Sequence, residues 1–353
     1  MGITLPYEFT TVVEAELFGE PAPNCVYHQF AMSHDDFTRQ PGETIRVNCP
    51  EFLTPSAAPF TDRMLSSISA RVSENAVQSI TEEKQEITLA EHLLPTPIRI
   101  QEYEAAHTIH DLASMNGSRL AEDYHRWRDA YLRDKMQGST YQQLVGNNSL
   151  ATLDLTDLLS LDEFVKAAAT LHTRHIPTYP DGKFVCVIDP ATEATLLVET
   201  KFLEATTRGL GSSAPIFTGE IGTFANIRFV LSSNSAEVLT TGGTVYSVSK
   251  ASMFGAAMFG YKPMGSVDSI PGVESREAWL RGYSAGPLIE VRGMPVQARI
   301  NADDDFGRFS DMIWIEHSMY TCLDPNPGSG KTVGTDSRFI QNIIGASILS
   351  AAV

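Results

Sequence analysis

The sequence predicts an α+β fold, with strands early and late in the chain, one long helix between them, and a helix–strand–helix unit in the middle. Three observations carry this. The text TIRVNC at 44–49 alternates, putting Ile45, Val47 and Cys49 on one face of a strand, and β-forming runs return at 86–100 and 288–323. From Ile109 to Met136, the residues Ile109, Leu112, Leu120, Tyr124, Trp127 and Tyr131 follow a helical period. FVCVI at 184–188 is an unbroken apolar run, as in a strand covered on both faces. A chain of 353 residues with 42% hydrophobic content can bury one large core or two intimately connected ones.

In chain order, Pro6, Pro21, Pro23 and Pro41 with few periodic apolar positions make residues 1–40 an expected extended arm, a poor core by itself. TIRVNC and the later run EITLAEHLLPTPIRI then form a long two-stranded excursion, with Pro50, Pro55 and Pro59 interrupting the first strand. The helix over about 109–136 has a charged outer face, with Arg119, Glu122, Asp123, Arg126, Asp129, Arg133 and Asp134 interleaving opposite signs. Asn116-Gly117 is a point where it could kink or begin. Ser160 and Glu163 have the capping-box spacing ahead of a second helix that Pro177 ends. Asp189-Pro190 supplies an N-cap and a first-turn proline for a third helix through about Ala205. LIEVR, VQARI and MIWIEHSMYTCL are expected as separate late strands, and the tail RFIQNIIGASILSAAV as a packed terminal helix.

Charge limits the function classes. With 43 acidic against 26 basic residues, the net charge of -17 disfavours a protein that grips nucleic acid by neutralising phosphates. Cys25, Cys49, Cys186 and Cys322 lie far apart without a CxxC pair, so free thiols are expected rather than a metal site. No basic segment precedes an apolar core at the N-terminus, and no run approaches the roughly 20 apolar residues of a membrane span, so a cytoplasm-like compartment is expected.

Several motifs invite enzymatic readings. Tyr246 and Lys250 form a YxxxK with Ser233 thirteen residues earlier, the spacing of a short-chain dehydrogenase, in which the lysine lowers the tyrosine pKa for proton transfer. That chemistry also requires a glycine-rich dinucleotide turn early in the chain. None appears in the first 180 residues; Thr218-Gly-Glu-Ile-Gly222 is the nearest text and comes too late. Gly328-Ser-Gly-Lys-Thr332 ends like a phosphate-binding loop, but the required first glycine is Pro325, so a surface loop is expected. His107 and His110, and His172 and His175, are each three apart without a HExxH or Glu-x-x-His partner pattern. Asp303-Asp304-Asp305 lacks the register of a calcium loop and is expected as a turn. No catalytic, cofactor-binding or metal-ligating residue is assigned. The oxidoreductase reading through Ser233, Tyr246 and Lys250 stands as the alternative.

Three passages, read in order, resemble a known family. They are PTPIRIQEYEAAHTIHDLASMNGSRLAEDYHRWRDAYLRDKM, LDEFVKAAATLHTRHIPTYPDGKFVCVIDPATEATLLVET and PIFTGEIGTFANIRFVLSSN, with the strands around 286–323 a weaker match. They are similar to the major capsid proteins of the N-four-like family, within the Hong Kong ninety-seven type of tailed-bacteriophage shell. The resemblance implies an N-terminal arm over 1–40 and an extended loop over 41–95. It implies a peripheral domain from 96–149 and 286–353 carrying the spine helix at about 109–136, and an axial domain over 150–285. It further implies self-assembly into hexamers and pentamers of an icosahedral head, with scaffolding, portal and cement proteins as partners. Packaged double-stranded DNA would be touched only non-specifically, and no membrane is involved. An acidic inner wall would let packed DNA slide. No lysine–asparagine crosslink is carried over.

Overall fold

One long helix touches two β-sheets, and among the described residues the buried apolar side chains form three clusters, the largest of them away from that helix. The structure is a computed structural model that describes residues 25–34, 42, 44–50, 82–101, 112–147, 153, 156–179, 181–202, 220–234, 236–241, 244–256, 286–304, 309–324 and 326–347.

The first sheet is built on a long antiparallel hairpin, β12 (Leu288–Asp304) and β13 (Phe309–Cys322). LIEVR and VQARI, expected as two strands, are one. Register shifts at Arg292/Met294 and Met294/Gln297 absorb Gly293 and Pro295, the irregular setting in which a residue without an N–H is tolerated. β1 (Ala31–His34) pairs parallel with β12 from Ala31↔Leu288 to His34↔Val291. Residues 25–34 are therefore not an arm docked elsewhere. Val26, Tyr27 and Phe30 are buried in the chain's own core, and Gly286 N donates to Phe30 O at 2.7 Å. The rest of the expected arm lies outside the described residues.

β2 (Thr44–Pro50) and β3 (Glu82–Thr88) form the expected antiparallel ribbon, from Thr44↔Thr88 to Pro50↔Glu82. The second alternating run does not stay in it. β4 (Ala90–Leu93) and β5 (Ile98–Gln101) leave the ribbon and pair with β13 instead. At the ribbon's root the buried Gln85 donates to Cys322 O at 2.9 Å and accepts from Asp324 N at 3.2 Å, fastening β3 to the end of β13.

Helix α1 (Leu112–Gln137) runs without a break through Asn116-Gly117; residues 109–111 lie outside the described part. Its 26 residues span about 39 Å at 1.5 Å per residue. Leu120, Tyr124, Leu132 and Met136 are buried, while Arg119, Glu122 and Arg126 are exposed, with Arg126 and Glu122 paired one turn apart. The last turn would leave unpaired carbonyls. Asn342 Nδ2 reaches the carbonyls of Met136 (3.1 Å), Gln137 (3.2 Å) and Ser139 (3.2 Å), while its Oδ1 accepts from Ser252 Oγ at 2.9 Å.

The second sheet has the order β6-β14-β11-β7-β9-β8, with β10 also on β11. These strands are β6 (Gln142–Leu144), β7 (Phe184–Ile188), β8 (Glu220–Phe224), β9 (Ile227–Leu231), β10 (Ala236–Thr241), β11 (Thr244–Phe254) and β14 (Ile340–Ala346). β7 is buried at all five positions, as its unbroken apolar text predicts. β14 overturns the expected terminal helix. Ile340, Ile343 and Ile344 suit a strand covered on both faces, and pairing with β11 and β6 decides for it. β6 and β14 also draw segments 96–149 and 286–353 into this sheet, not only into the first.

Helix α2 (Leu161–Thr173) starts at Ser160, but the capping box does not form. Glu163 is taken by Gln143 and Lys166, both at 2.6 Å, and Leu161 N donates to Glu199 Oε1 at 3.1 Å instead. The helix stops at Thr173, before Pro177, with His175 at φ 57°. Helix α3 (Pro190–Val198) is capped as read, Thr192 N donating to Asp189 Oδ1 at 3.1 Å. It is interrupted at Glu199, whose backbone turns extended and whose carboxylate serves α2; helical backbone resumes at 200–202, and residues 203–205 lie outside the described residues.

Replacing Asn342 by Ala removes the cap on α1 and strands the buried Ser252 hydroxyl. The expected loss is about 1–3 kcal/mol, read as a lower urea midpoint at unchanged slope.

Candidate functional site

The enzymatic candidates are not assembled by the fold. Tyr246 and Lys250 stand on β11, opposite Leu239 and Ile344, where four residues of strand separate their Cα atoms by about 13 Å. Dehydrogenase chemistry needs that pair one helical turn apart, and Ser233 sits in an exposed turn after β9. The Gly328–Thr332 segment is a surface loop in which Gly328 and Gly330 take φ of 105° and 74°. Lys331 Nζ donates to Thr140 Oγ1 at 2.5 Å and Thr332 N to Asp336 Oδ2 at 2.8 Å. Turns and then β14 follow, so no helix N-terminus faces the loop to receive a phosphate. His172 packs its ring on Phe184 at 4.8 Å, and His175 is exposed. His107, His110 and Asp305 lie outside the described residues, and Asp303 and Asp304 end β12. Among the described residues no three His, Cys, Asp or Glu side chains are grouped to hold a metal.

What the fold does concentrate is charge and aromatic surface between α1 and the first sheet. Along β13, Met312, Trp314, Glu316, Ser318, Tyr320 and Cys322 share one parity and all are buried. Trp314 packs on Trp127 (4.8 Å between centroids) and edge-on to Tyr124 (5.4 Å), and its Nε1 donates to Asp123 Oδ2 at 2.9 Å.

Glu290 and Glu316 are fully buried within this layer. Glu290 accepts from Arg128 Nη2 at 2.5 Å and Arg292 Nε at 2.7 Å. Glu316 accepts from Tyr124 Oη at 3.1 Å and Tyr320 Oη at 3.0 Å, with Arg292 Nε at 3.4 Å. Burial pushes both carboxyls upward, with opposite net results. At Glu290 the two guanidiniums outweigh burial and hold the group below the usual carboxylate range. At Glu316 burial wins over Arg292 and the group is raised.

Asp129, the residue after Arg128 and itself buried, accepts from Tyr27 N at 2.8 Å and Asn234 Nδ2 at 3.4 Å. Burial raises its pKa to about 6 against those bonds. It ties the segment before β1, α1 and the turn after β9 into one body. Sequence reading placed Asp129 on the helix's solvated face and passed over Glu290 and Glu316. The available signal was a carboxylate at an inward position of an otherwise apolar strand, in LIEVR and MIWIEHSMY.

No protein-family model matches the chain, and no curated protein sequence does. Solved structures match over nearly its whole length. The capsid of Ralstonia phage GP4 aligns with 93% of this chain and 92% of its own, at 13% identity and a TM-score of 0.63. This is the Hong Kong ninety-seven type capsid fold. The Cyanophage Pam1 capsid asymmetric unit covers 90% and 89% at 11% identity and TM-score 0.57. A Mycobacterium phage Che8 structure covers 92% and 93% at 12% identity and TM-score 0.53. In this capsid fold the Glu290–Arg128–Arg292–Glu316 cluster is the polar centre of the contact between the long helix and the long hairpin.

Removing one partner of a buried pair leaves an uncompensated charge, so Arg128→Met is expected to cost about 3–5 kcal/mol at neutral pH. The sign with pH follows from Glu290, whose folded pKa lies below its unfolded value. The pair's stabilisation is complete above about pH 4.3 and is lost as pH falls through the folded value. Urea titrations at pH 7 and pH 3.5 should show the gap between wild type and variant narrowing in acid.

Proposed function

We propose that this chain is the major capsid protein of a tailed bacteriophage, assembling with copies of itself into the icosahedral head that encloses packaged double-stranded DNA. The observation that carries it is end-to-end likeness to capsid subunits, with over nine-tenths of each chain aligned to the Ralstonia phage GP4 capsid. The three passages resembling N-four-like capsid proteins support placing it in that branch. They fall on α1 with β5 before it, on α2–β7–α3, and on β8–β9.

On this reading the extended loop over 41–95, to which the β2–β3 ribbon belongs, overlaps a neighbour. The first sheet with α1 forms the peripheral domain, and residues 150–285 with β14 form the axial domain at the centre of hexamers and pentamers. A projecting ribbon on a rigid sheet-and-helix body suits a subunit that must meet both hexagonal and pentagonal surroundings. Repetition in a closed shell converts modest pairwise contacts into durability. The net charge of -17 fits a wall that contains DNA without gripping it. Scaffolding, portal and cement proteins are the expected partners, and the virion the expected location. The likeness to capsid structures supports a structural role, and the spacing of Tyr246 and Lys250 along β11 does not support the dehydrogenase alternative.

Electron microscopy of the purified protein is expected to show shells, rings or large oligomers. A protein that stays monomeric at high concentration with its scaffolding partner present overturns the reading. Tyr246→Phe should leave assembly unchanged, and NAD-dependent turnover lost on that substitution would favour the oxidoreductase instead.

A further inference from the structure

Strand β4 is short and lies at the sheet's edge. Its exposed positions are Glu91 and Leu93, and its inward ones Ala90 and His92, so His92 is its one large inward side chain. The imidazole enters a box of rings, with Trp127 at 5.0 Å, Tyr131 at 5.4 Å and Tyr320 at 6.4 Å between centroids. A backbone hydrogen bond with Ser318 holds the ring, and the Nε2 atom is buried without a hydrogen-bond partner.

A neutral imidazole fits this box, because one nitrogen donates and the other needs only a lone pair. A protonated ring carries two N–H donors and a full charge, and nothing here accepts the second N–H. The charged groups nearby do not compensate. On α1 the nearest is Lys135, of like sign, whose Nζ lies 5.2 Å from the Tyr131 ring centre. On β13, Glu316 is the residue opposite His92, but its oxygens are already taken by Tyr124 and Tyr320, with Arg292 of β12 beside them. On β4 itself Glu91 faces the other way, 4.0 Å from His317. Burial first, together with Lys135, outweighs the Ser318 bond and holds the imidazole below its ordinary pKa.

We propose that His92 is an acid-sensitive latch: protonation drives its ring out of the Trp127–Tyr131–Tyr320 box and releases β4, which joins the β2–β3 ribbon to the first sheet, from β13. The root of the ribbon stays fastened by Gln85, so release gives a hinged ribbon on an intact body. The direction follows from linkage. With the folded pKa below the unfolded one, the latch's contribution is complete above about pH 6.5 and falls as pH drops toward the folded value. The inference depends on packing within one chain, so it is tested whether or not the chain builds shells.

Hydrogen exchange of the full-length protein, corrected for intrinsic rates, is compared between pH 7.5 and pH 5. Wild type should lose at least about tenfold protection in β4 while β12 is unchanged, and His92→Phe, which keeps a ring in the box, should abolish that loss. Glu316→Gln should retain it. Equal acid responses in wild type and His92→Phe, or a response abolished by Glu316→Gln instead, overturn the latch. If His92→Phe does not fold, the wild-type His92 ring is titrated by NMR. A pKa below 6.5 with β4 amides shifting in step supports the latch, and any other titration overturns it.

Discussion

The fold depends on α1 being held from both sides at once. One face of the helix lies on β12–β13 through Leu120, Tyr124 and Trp127, and its last turn is bound by Asn342 from the other sheet. Cys322 Sγ donates to Lys135 O at 3.2 Å and Gln137 Nε2 to Lys250 O at 3.4 Å, so the same turn touches both sheets. Apolar burial alone would tolerate sliding along the axis. Hydrogen bonds to the carbonyls of Met136, Gln137 and Ser139 do not, because a shift of one residue strands buried polar groups. This fixed helix is what lets two sheets, drawn from interleaved parts of the chain, behave as one body.

The buried carboxylates add a second constraint. Glu290 and Glu316 occupy inward positions where an aliphatic residue would pack without desolvation cost, and such ionic centres are seldom there for stability. Here they demand that Arg128 on the helix, Arg292 on β12 and the tyrosines of both elements meet in one register. Around this centre the chain places its less anchored parts. The ribbon hangs on Gln85 and the short β4, and the segment before β1 on Asp129. The result is a firmly held centre with more lightly fastened extensions.

Local signals in the sequence marked several elements correctly. The 3.6-residue period gave α1, the unbroken FVCVI gave a doubly covered strand, and Asp189-Pro190 gave a capped helix start. Failures came where a local signal competed with a distant partner. Ser160 and Glu163 have capping-box spacing, but Gln143 and Lys166 claim the glutamate. The terminal run has enough apolar residues for a helix, but pairing with β11 and β6 makes it a strand. Gly293 and Pro295 look like a break between strands, and bulges carry β12 through them. The proline-rich start looks like an arm, yet Val26, Tyr27 and Phe30 are core.

By itself, then, the sequence determined the fold class, the long half-buried helix and the paired strands beyond it. These rest on periodicity and fixed spacings, which are properties of neighbours in the chain. Only the tertiary structure decided that Tyr246 and Lys250 lie along a strand, that Glu290 and Glu316 meet Arg128 and Arg292, and that His92 enters a box of three rings. Those contacts join residues scores to hundreds of positions apart, and what a buried charge or imidazole does is set by the groups that close around it.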